Sequence, residues 1–273
     1  MTVCIGAICE DGKAAVVAAD KMVTFGPPMM LQTEPSVLKK IVSLTPECVI
    51  LFSGSMPDGE DVIARARPGI AATKQPVSNI AEKVRGAYAD FKKARVEETI
   101  LRPLLGADFA QFQALVGQSS SSQILQQLVG MIMQHNLQLE ALIAGTDDSG
   151  AHIFVIGHPG ILQPVDTTGF AAIGSGGLHA MIALSLGPHS KTASLVETIH
   201  SVYEAKKAAE VAPGVGTMTD MAIIKGSSVC VADKPLFEAL EGIRKERPSL
   251  SKNDRERLQG ACDDCVSKQR PKV

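Results

Sequence analysis

Residues 1–20 read MTVCIGAICEDGKAAVVAAD. Two apolar runs, Thr2 to Cys9 and Ala14 to Ala19, flank Glu10-Asp11-Gly12-Lys13. Asp-Gly between two such runs is a strong hairpin signal. Thr2 then begins a strand, and Asp20, which closes the returning strand, comes back beside it. A methionine in front of a residue as small as threonine is normally trimmed, which leaves Thr2 with a free α-amine beside its own hydroxyl. A hydroxyl, an amine and a carboxylate thus converge within one hairpin. A threonine hydroxyl is a weak nucleophile at neutral pH and needs a base. An α-amine, titrating near about pH 8, is neutral often enough to be that base. On Met1-Thr2 alone an ordinary strand start is the simpler reading, so the rest of the chain has to decide.

The chain has 273 residues, 45% of them hydrophobic and 21% charged, which is ordinary for a water-soluble globular protein. A net charge of −2 gives no global field for nucleic acid or an anionic membrane. With no Trp and two Tyr, platforms for stacking bases are scarce. No stretch has the length of a transmembrane helix, and the first residues lack the basic region of a signal peptide. Six scattered cysteines, Cys4, Cys9, Cys48, Cys230, Cys262 and Cys265, do not read as a disulfide framework in a chain this long, and a reducing cytoplasm fits. Cys262-Asp-Asp-Cys265 has metal-like spacing, but no second Cys or His pair follows, so two thiols on a polar tail are expected.

Further along, Gly26-Pro27-Pro28 and Pro35 mark a loop over residues 22–38. Lys39-Lys40-Ile41-Val42 opens a short strand, and Val49 to Phe52 forms a buried one that ends at Ser53-Gly54-Ser55. Asn79 and Glu82 resemble a capping box, after which Ile80, Val84, Ala87 and Phe91 share a helix face. A second helical region spans about 107–134, broken at Ser119 to Ser122, and its Leu, Ile and Met residues are expected in the core. Strands return at Leu139 to Gly145, Ala151 to Ile156 and Gly169 to Ile173. Gly174-Ser175-Gly176-Gly177 then leads into the apolar run Leu178 to Leu186, a turn that offers backbone N–H groups to an anion. It fits neither a P-loop nor a dinucleotide fingerprint. A helix from about Thr192 ends at Ala212-Pro213-Gly214-Val215-Gly216, and two strands, Met221 to Ile224 and Ser228 to Ala232, follow. From Asp233 the composition turns charged. A helix is expected over 235–246, stopped by Pro248, another capped by Asn253, and disorder over the last six or so residues. Two antiparallel sheets packed face to face, with helices outside each, would bury this pattern.

Several stretches in this order resemble the proteasome-type β subunits and their bacterial relatives, including the HslV peptidase. They are TVCIGAICEDGKAAVVAADK, KKIV with ILFSGSMPDGED, ALIAGTDDSGAHIFVIGHPG, AAIGSGGLHAMIAL and GTMTDMAII, and they cover roughly residues 2–232. The resemblance implies an α+β, four-layer αββα sandwich, the N-terminal nucleophile (Ntn) hydrolase fold. It also implies self-assembly into a homo-oligomeric ring or related assembly, and leaves room for an ATPase partner. The chain then divides into a hydrolase domain over 1–232 and a charged, partly helical extension over 233–273.

Residue by residue, Thr2 matches the family's nucleophile and Asp20 its aspartate after the first hairpin. Gly54 matches the glycine whose N–H lies in the oxyanion hole, and Ser175 the serine close to the nucleophile's amine. The implied activity is a threonine-type hydrolase that cleaves peptide bonds in peptides or unfolded chains, with no metal or organic cofactor. Two departures stand out. The family's lysine beside the nucleophile falls around Glu34 to Ser36, where this chain has none. Lys39 or Lys40 is left to replace it, each reading more readily as a surface lysine. The Asp and Ser that many β subunits carry before the last strand pair are not evident in Ala212 to Gly216, although HslV-like members also lack that aspartate. The alternative is therefore a catalytically silent scaffold subunit of the same fold.

Overall fold

A computed structural model describes residues 2–25, 31–35, 37, 39–70, 74–118, 123–246 and 251–268. The first hairpin forms, its first strand beginning at Cys4 rather than at Thr2. Strands β1 (Cys4–Cys9) and β2 (Ala14–Asp20) pair antiparallel, with Cys4 opposite Ala19 and Cys9 opposite Ala14. The turn between them takes positive φ at Asp11 and Gly12, 58° and 83°, a region these two residue types tolerate. The stretch expected as a loop holds a two-stranded ribbon, β3 (Val23–Phe25) against β4 (Leu31–Thr33). Strands β5 (Ile41–Thr45) and β6 (Cys48–Ser53) follow, then helices α1 (Met56–Ala66) and α2 (Val77–Val96).

Helix α2 starts two residues before Asn79, so Asn79 and Glu82 lie inside it rather than at its cap. The cap comes from elsewhere in the chain: Asp147 Oδ2 accepts the Val77 N–H at 2.9 Å. After a π-helical turn at Glu97–Leu101 come α3 (Arg102–Leu105), α4 (Phe109–Gln118) and α5 (Gln123–Gln134). This region was expected in the core, and most of it is not. Phe112, Leu125 and Leu128 are buried with Val96, Ile100 and Leu101 in a small separate cluster. Ile124 and Met133 remain 66% and 73% exposed. The outer face of the nearer sheet is already covered by α1 and α2, so α4 and α5 have little but the end of α2 to pack on. Ser119 to Ser122 lie outside the described residues.

The chain continues through β7 (Glu140–Asp147), β8 (Gly150–Gly157), β9 (Ile161–Pro164) and β10 (Phe170–Ile173). Helices α6 (Gly177–Leu186) and α7 (Leu195–Ala209) come next, α7 opened by a capping box between Ser194 and Glu197. Strands β11 (Thr219–Lys225) and β12 (Ser228–Val231) precede α8 (Lys234–Glu246) and α9 (Lys252–Lys268).

The strands form two five-stranded antiparallel sheets, ordered β10-β1-β2-β11-β12 and β5-β6-β7-β8-β9. Side chains alternate between two buried environments. Val3, Ile5, Ala14, Val16, Met221 and Ile223 face α6 to α9, whereas Ile8, Val17, Val49, Leu51, Leu142 and Ile153 fill the space between the sheets. Cys48, Ile50, Ala141 and Ile143 face α1 and α2. Burial on both faces explains why β1, β2, β6 and β7 read as unbroken apolar runs, and each buried Val, Leu or Ile contributes about 1.5–3 kcal/mol. The result is the four-layer αββα sandwich.

The charged stretch after residue 233 is packed rather than trailing. Leu236, Leu240, Ile243, Leu258, Cys262 and Cys265 join the core on the outer face of the first sheet. Cys262 and Cys265, expected on a polar tail, sit at i and i+3 on the buried face of α9, and Cys265 Sγ lies 2.9 Å from Cys230 Sγ. Ser251, not Asn253, caps α9: its Oγ accepts the Asp254 N–H at 3.4 Å, while Asp254 Oδ2 accepts in return from the Ser251 N–H and hydroxyl at 2.8 and 2.5 Å. Pro248 and residues 269–273, where a helix stop and a disordered end were expected, lie outside the described residues. No helix among those described is long and apolar enough to cross a membrane.

Candidate active site

The register of the first hairpin carries Thr2 and Val3 alongside Asp20, whose N–H donates to the Val3 carbonyl at 3.3 Å. Strand β11 flanks the other side, Thr219 opposite Asp20, and so brings the 213–218 loop within reach. Asp20 is fully buried, and its carboxylate gathers donors from four parts of the chain. Oδ1 accepts from the Thr2 hydroxyl, from the Val3 N–H at 2.9 Å and from Lys40 Nζ at 3.0 Å. Oδ2 accepts from the N–H groups of Met22 at 2.9 Å and Gly216 at 3.1 Å. A buried carboxylate is tolerable only when paired and hydrogen-bonded in this way.

Lys40 corrects the expectation of a surface lysine. It is only 8% exposed, and its ammonium donates both to Thr2 Oγ1 and to Asp20. Lys39, its neighbour, is exposed. Counting back to residues 34–36 misplaced the cation because the β3–β4 ribbon lengthens the path to β5. No local signal marked it: the strand register decides, with Ile41 opposite Leu51 and therefore Lys40 level with Phe52, one residue before Ser53-Gly54. At the position first considered, Glu34 does a different job: its carboxylate accepts from Met218 N–H at 3.0 Å and Thr217 Oγ1 at 2.9 Å, bracing the 213–218 loop.

The glycine-rich turn after β10 also meets Thr2. The Thr2 N–H donates to Ser175 Oγ at 3.2 Å, and the Gly176 N–H donates to the Thr2 carbonyl at 3.2 Å. Gly174 has φ +89°, and a Cβ there would stand 2.3 Å from the Thr2 carbonyl oxygen. Its N–H donates to Glu140 Oε2 at 2.8 Å, a partner sequence reading missed. The turn thus spends these donors on the protein's own acceptors rather than offering them to an external anion.

Gly54 sits across the site at φ +120°, where a Cβ would collide with the Gln138 carbonyl at 2.3 Å. A cavity of about 340 Å³ opens beside it, with Thr2, Lys40 and Gly54 on one side and Met22, Phe25, Phe52, Met56 and Pro57 forming much of an apolar wall. Cys4 is close by, but burial pushes its thiol up to about 12, with Lys40 opposing, so it is no competitor as a nucleophile. The structure therefore brings Thr2, Asp20 and Ser175 together, adds Lys40, and sets Gly54 on the same cavity. A hydroxyl held between an ammonium and a carboxylate is oriented, and the ammonium stabilises negative charge as it develops on oxygen.

Compared with known families, residues 2–79 match the proteasome subunit family. The match spans 78 of the 273 residues, and over that stretch the chain is similar to proteasome subunits. The match takes in Thr2, Asp20, Lys40 and Gly54 together with α1 and the start of α2. No curated protein matches the sequence.

Proposed function

We propose that the protein is a threonine-type N-terminal nucleophile hydrolase acting on peptide bonds, with Thr2 exposed as the first residue by loss of Met1. Thr2 Oγ attacks the amide carbonyl carbon and passes its proton to the α-amine on the same residue. The oxyanion is held by the Gly54 N–H while Lys40 offsets charge at Oγ. The ammonium then returns its proton to the leaving amine as the C–N bond breaks, giving an ester on Thr2. Water, deprotonated by the amine, hydrolyses that ester and releases the acid. Asp20 holds Lys40 and the hydroxyl, and Ser175 orients the amine.

The observation that carries this reading is the buried contact of Lys40 with both Thr2 and Asp20. A silent scaffold was favoured by the lack of that cation, and it loses that support. The apolar wall of the cavity suits an apolar side chain next to the scissile bond. As in other proteasome-type subunits, a homo-oligomeric ring would enclose the site and restrict it to unfolded chains, with an ATPase partner to feed it. The HslV-like affinity, a cytoplasmic location and the division at residue 232 belong to the same proposal.

The deciding experiment is the intact mass of the protein before and after exposure to a peptide epoxyketone, which requires both the hydroxyl and the free amine. Loss of Met1 and gain of one adduct, abolished by Thr2→Ala in an otherwise intact oligomer, is expected. Retention of Met1 with no adduct would return the chain to the scaffold reading.

A further inference from the structure

Lys206 is a lysine in the middle of a hydrophobic core. It lies on α7, is 0% exposed, and is surrounded along that helix by Val202, Tyr203, Ala205 and Ala209, all buried. Removing an ammonium from water costs several kcal/mol unless its donors are used. Here all three are. Nζ donates to Glu210 Oε1 at 2.5 Å and to the carbonyls of Gly216 and Thr217 at 2.8 Å each. Lys207, one residue on, reaches Glu210, Glu241 and the same Thr217 carbonyl, at 3.3 Å, from nearer the surface, so the contact peculiar to the buried lysine is the one with the Gly216 carbonyl. The burial of Lys206 therefore needs another account, and the peptide it grips supplies one. The Gly216 N–H donates to Asp20 Oδ2, the oxygen opposite the one that holds Thr2 and Lys40.

We propose that Lys206 is a positioning residue for the nucleophile site: its ammonium fixes the Gly216 and Thr217 carbonyls so that the Gly216 N–H stays aimed at Asp20. Its charge also offsets part of the negative field that Asp20 exerts on the Thr2 amine. This rests on the hydrolase reading for its catalytic consequence, but not for its electrostatic one.

The charges that bear on the arrangement come from every element around it. Asp20 lies on β2, Lys40 before β5, Glu34 after β4, Glu140 on β7, and Lys207 and Glu210 on or just after α7. Burial holds the Lys206 ammonium below its ordinary value, while Glu210 and, more weakly, Asp20 favour its charged form. Taking that cation away leaves the Asp20 carboxylate less balanced. The protonated Thr2 amine is then favoured, its pKa rises, and the fraction available as base at neutral pH falls.

The test uses the full chain beginning at Thr2, released from a cleavable N-terminal fusion, as wild type, Lys206→Met and Lys206→Gln. The Thr2 amine is titrated by the pH dependence of its reductive methylation, read at that residue by peptide mass. In parallel, kcat and KM are measured on a fluorogenic peptide amide, together with Tm. Both variants should raise the amine pKa by about half a unit or more. They should lower kcat at neutral pH about tenfold, with KM within about twofold. A purely structural lysine would lower Tm and leave the amine within about 0.2 units of wild type, and that result overturns the proposal. Should Lys206→Met not fold, Lys206→Gln, which keeps one N–H for the Gly216 carbonyl, carries the comparison. If the wild type shows neither turnover nor an epoxyketone adduct, the hydrolase reading fails, and the amine titration alone still decides the role of Lys206.

Discussion

Lys40 Nζ lies 3.0 Å from Asp20 Oδ1, and the two side chains are 6% and 0% exposed. Their charges are neutralised by each other inside the protein, and both converge on one hydroxyl. Lys40→Ala should therefore lower kcat by about 10²-fold or more, the scale of losing one donor at a developing oxyanion. Lys39→Ala should stay within about twofold. Progress curves on a fluorogenic peptide amide compare the two directly, and equal small losses would remove Lys40 from the mechanism.

Gly54 faces two independent obstacles to any side chain. Its φ of +120° is reserved for glycine, and the Gln138 carbonyl occupies the space a Cβ would need. Gly54→Ala should cost about 1–3 kcal/mol in stability through backbone strain. If the Gly54 N–H stabilises the oxyanion, kcat should fall about 10²-fold or more as the peptide tilts, with a smaller change in KM. A variant that loses stability but keeps kcat would leave the oxyanion hole elsewhere.

Asp147 links the β7–β8 turn to the first residue of α2. Burial acts to raise its carboxyl pKa, but hydrogen bonds from the Ser149 hydroxyl, the Val77 N–H and the Ser149 N–H, helped by His152, outweigh it and hold the group below its ordinary value. A depressed carboxyl pKa means stability that is complete above the unfolded-state value and lost as pH falls through the folded one. Asp147→Asn, which keeps an acceptor oxygen but loses the charge, should thus cost about 0.5 kcal/mol in urea unfolding at pH 7, the scale of a negative charge at a helix N-terminus. The gap should narrow as pH falls through the depressed folded-state value, where wild-type Asp147 becomes protonated as well. A cost independent of pH would assign the loss to geometry instead.

Much of the sandwich was legible because β1, β2, β6 and β7 are buried on both faces, and continuous apolar runs report that plainly. Thr2 and Asp20 were legible because one hairpin joins them. Lys40 was not, since its contact depends on how far the β3–β4 ribbon displaces the next strand, a length no local pattern states. The same holds for Asp147 capping α2 and Ser251 capping α9, where the residue nearest the expected position was credited with the cap. Helices α4 and α5 misled for another reason. Their apolar periodicity is real, but periodicity records a face suited to burial and says nothing of whether the rest of the fold has surface left to cover it.

The carboxylate of Asp20 draws its donors from the chain start, the end of the first hairpin, the segment before β5 and the loop before β11. Those pieces lie up to 196 positions from Asp20 in sequence, so they meet only when both sheets have closed. A nascent or half-folded chain holds a threonine, a lysine and an aspartate but no working nucleophile. On the proposed hydrolase reading, the onset of cleavage would be timed by the completion of the tertiary structure itself.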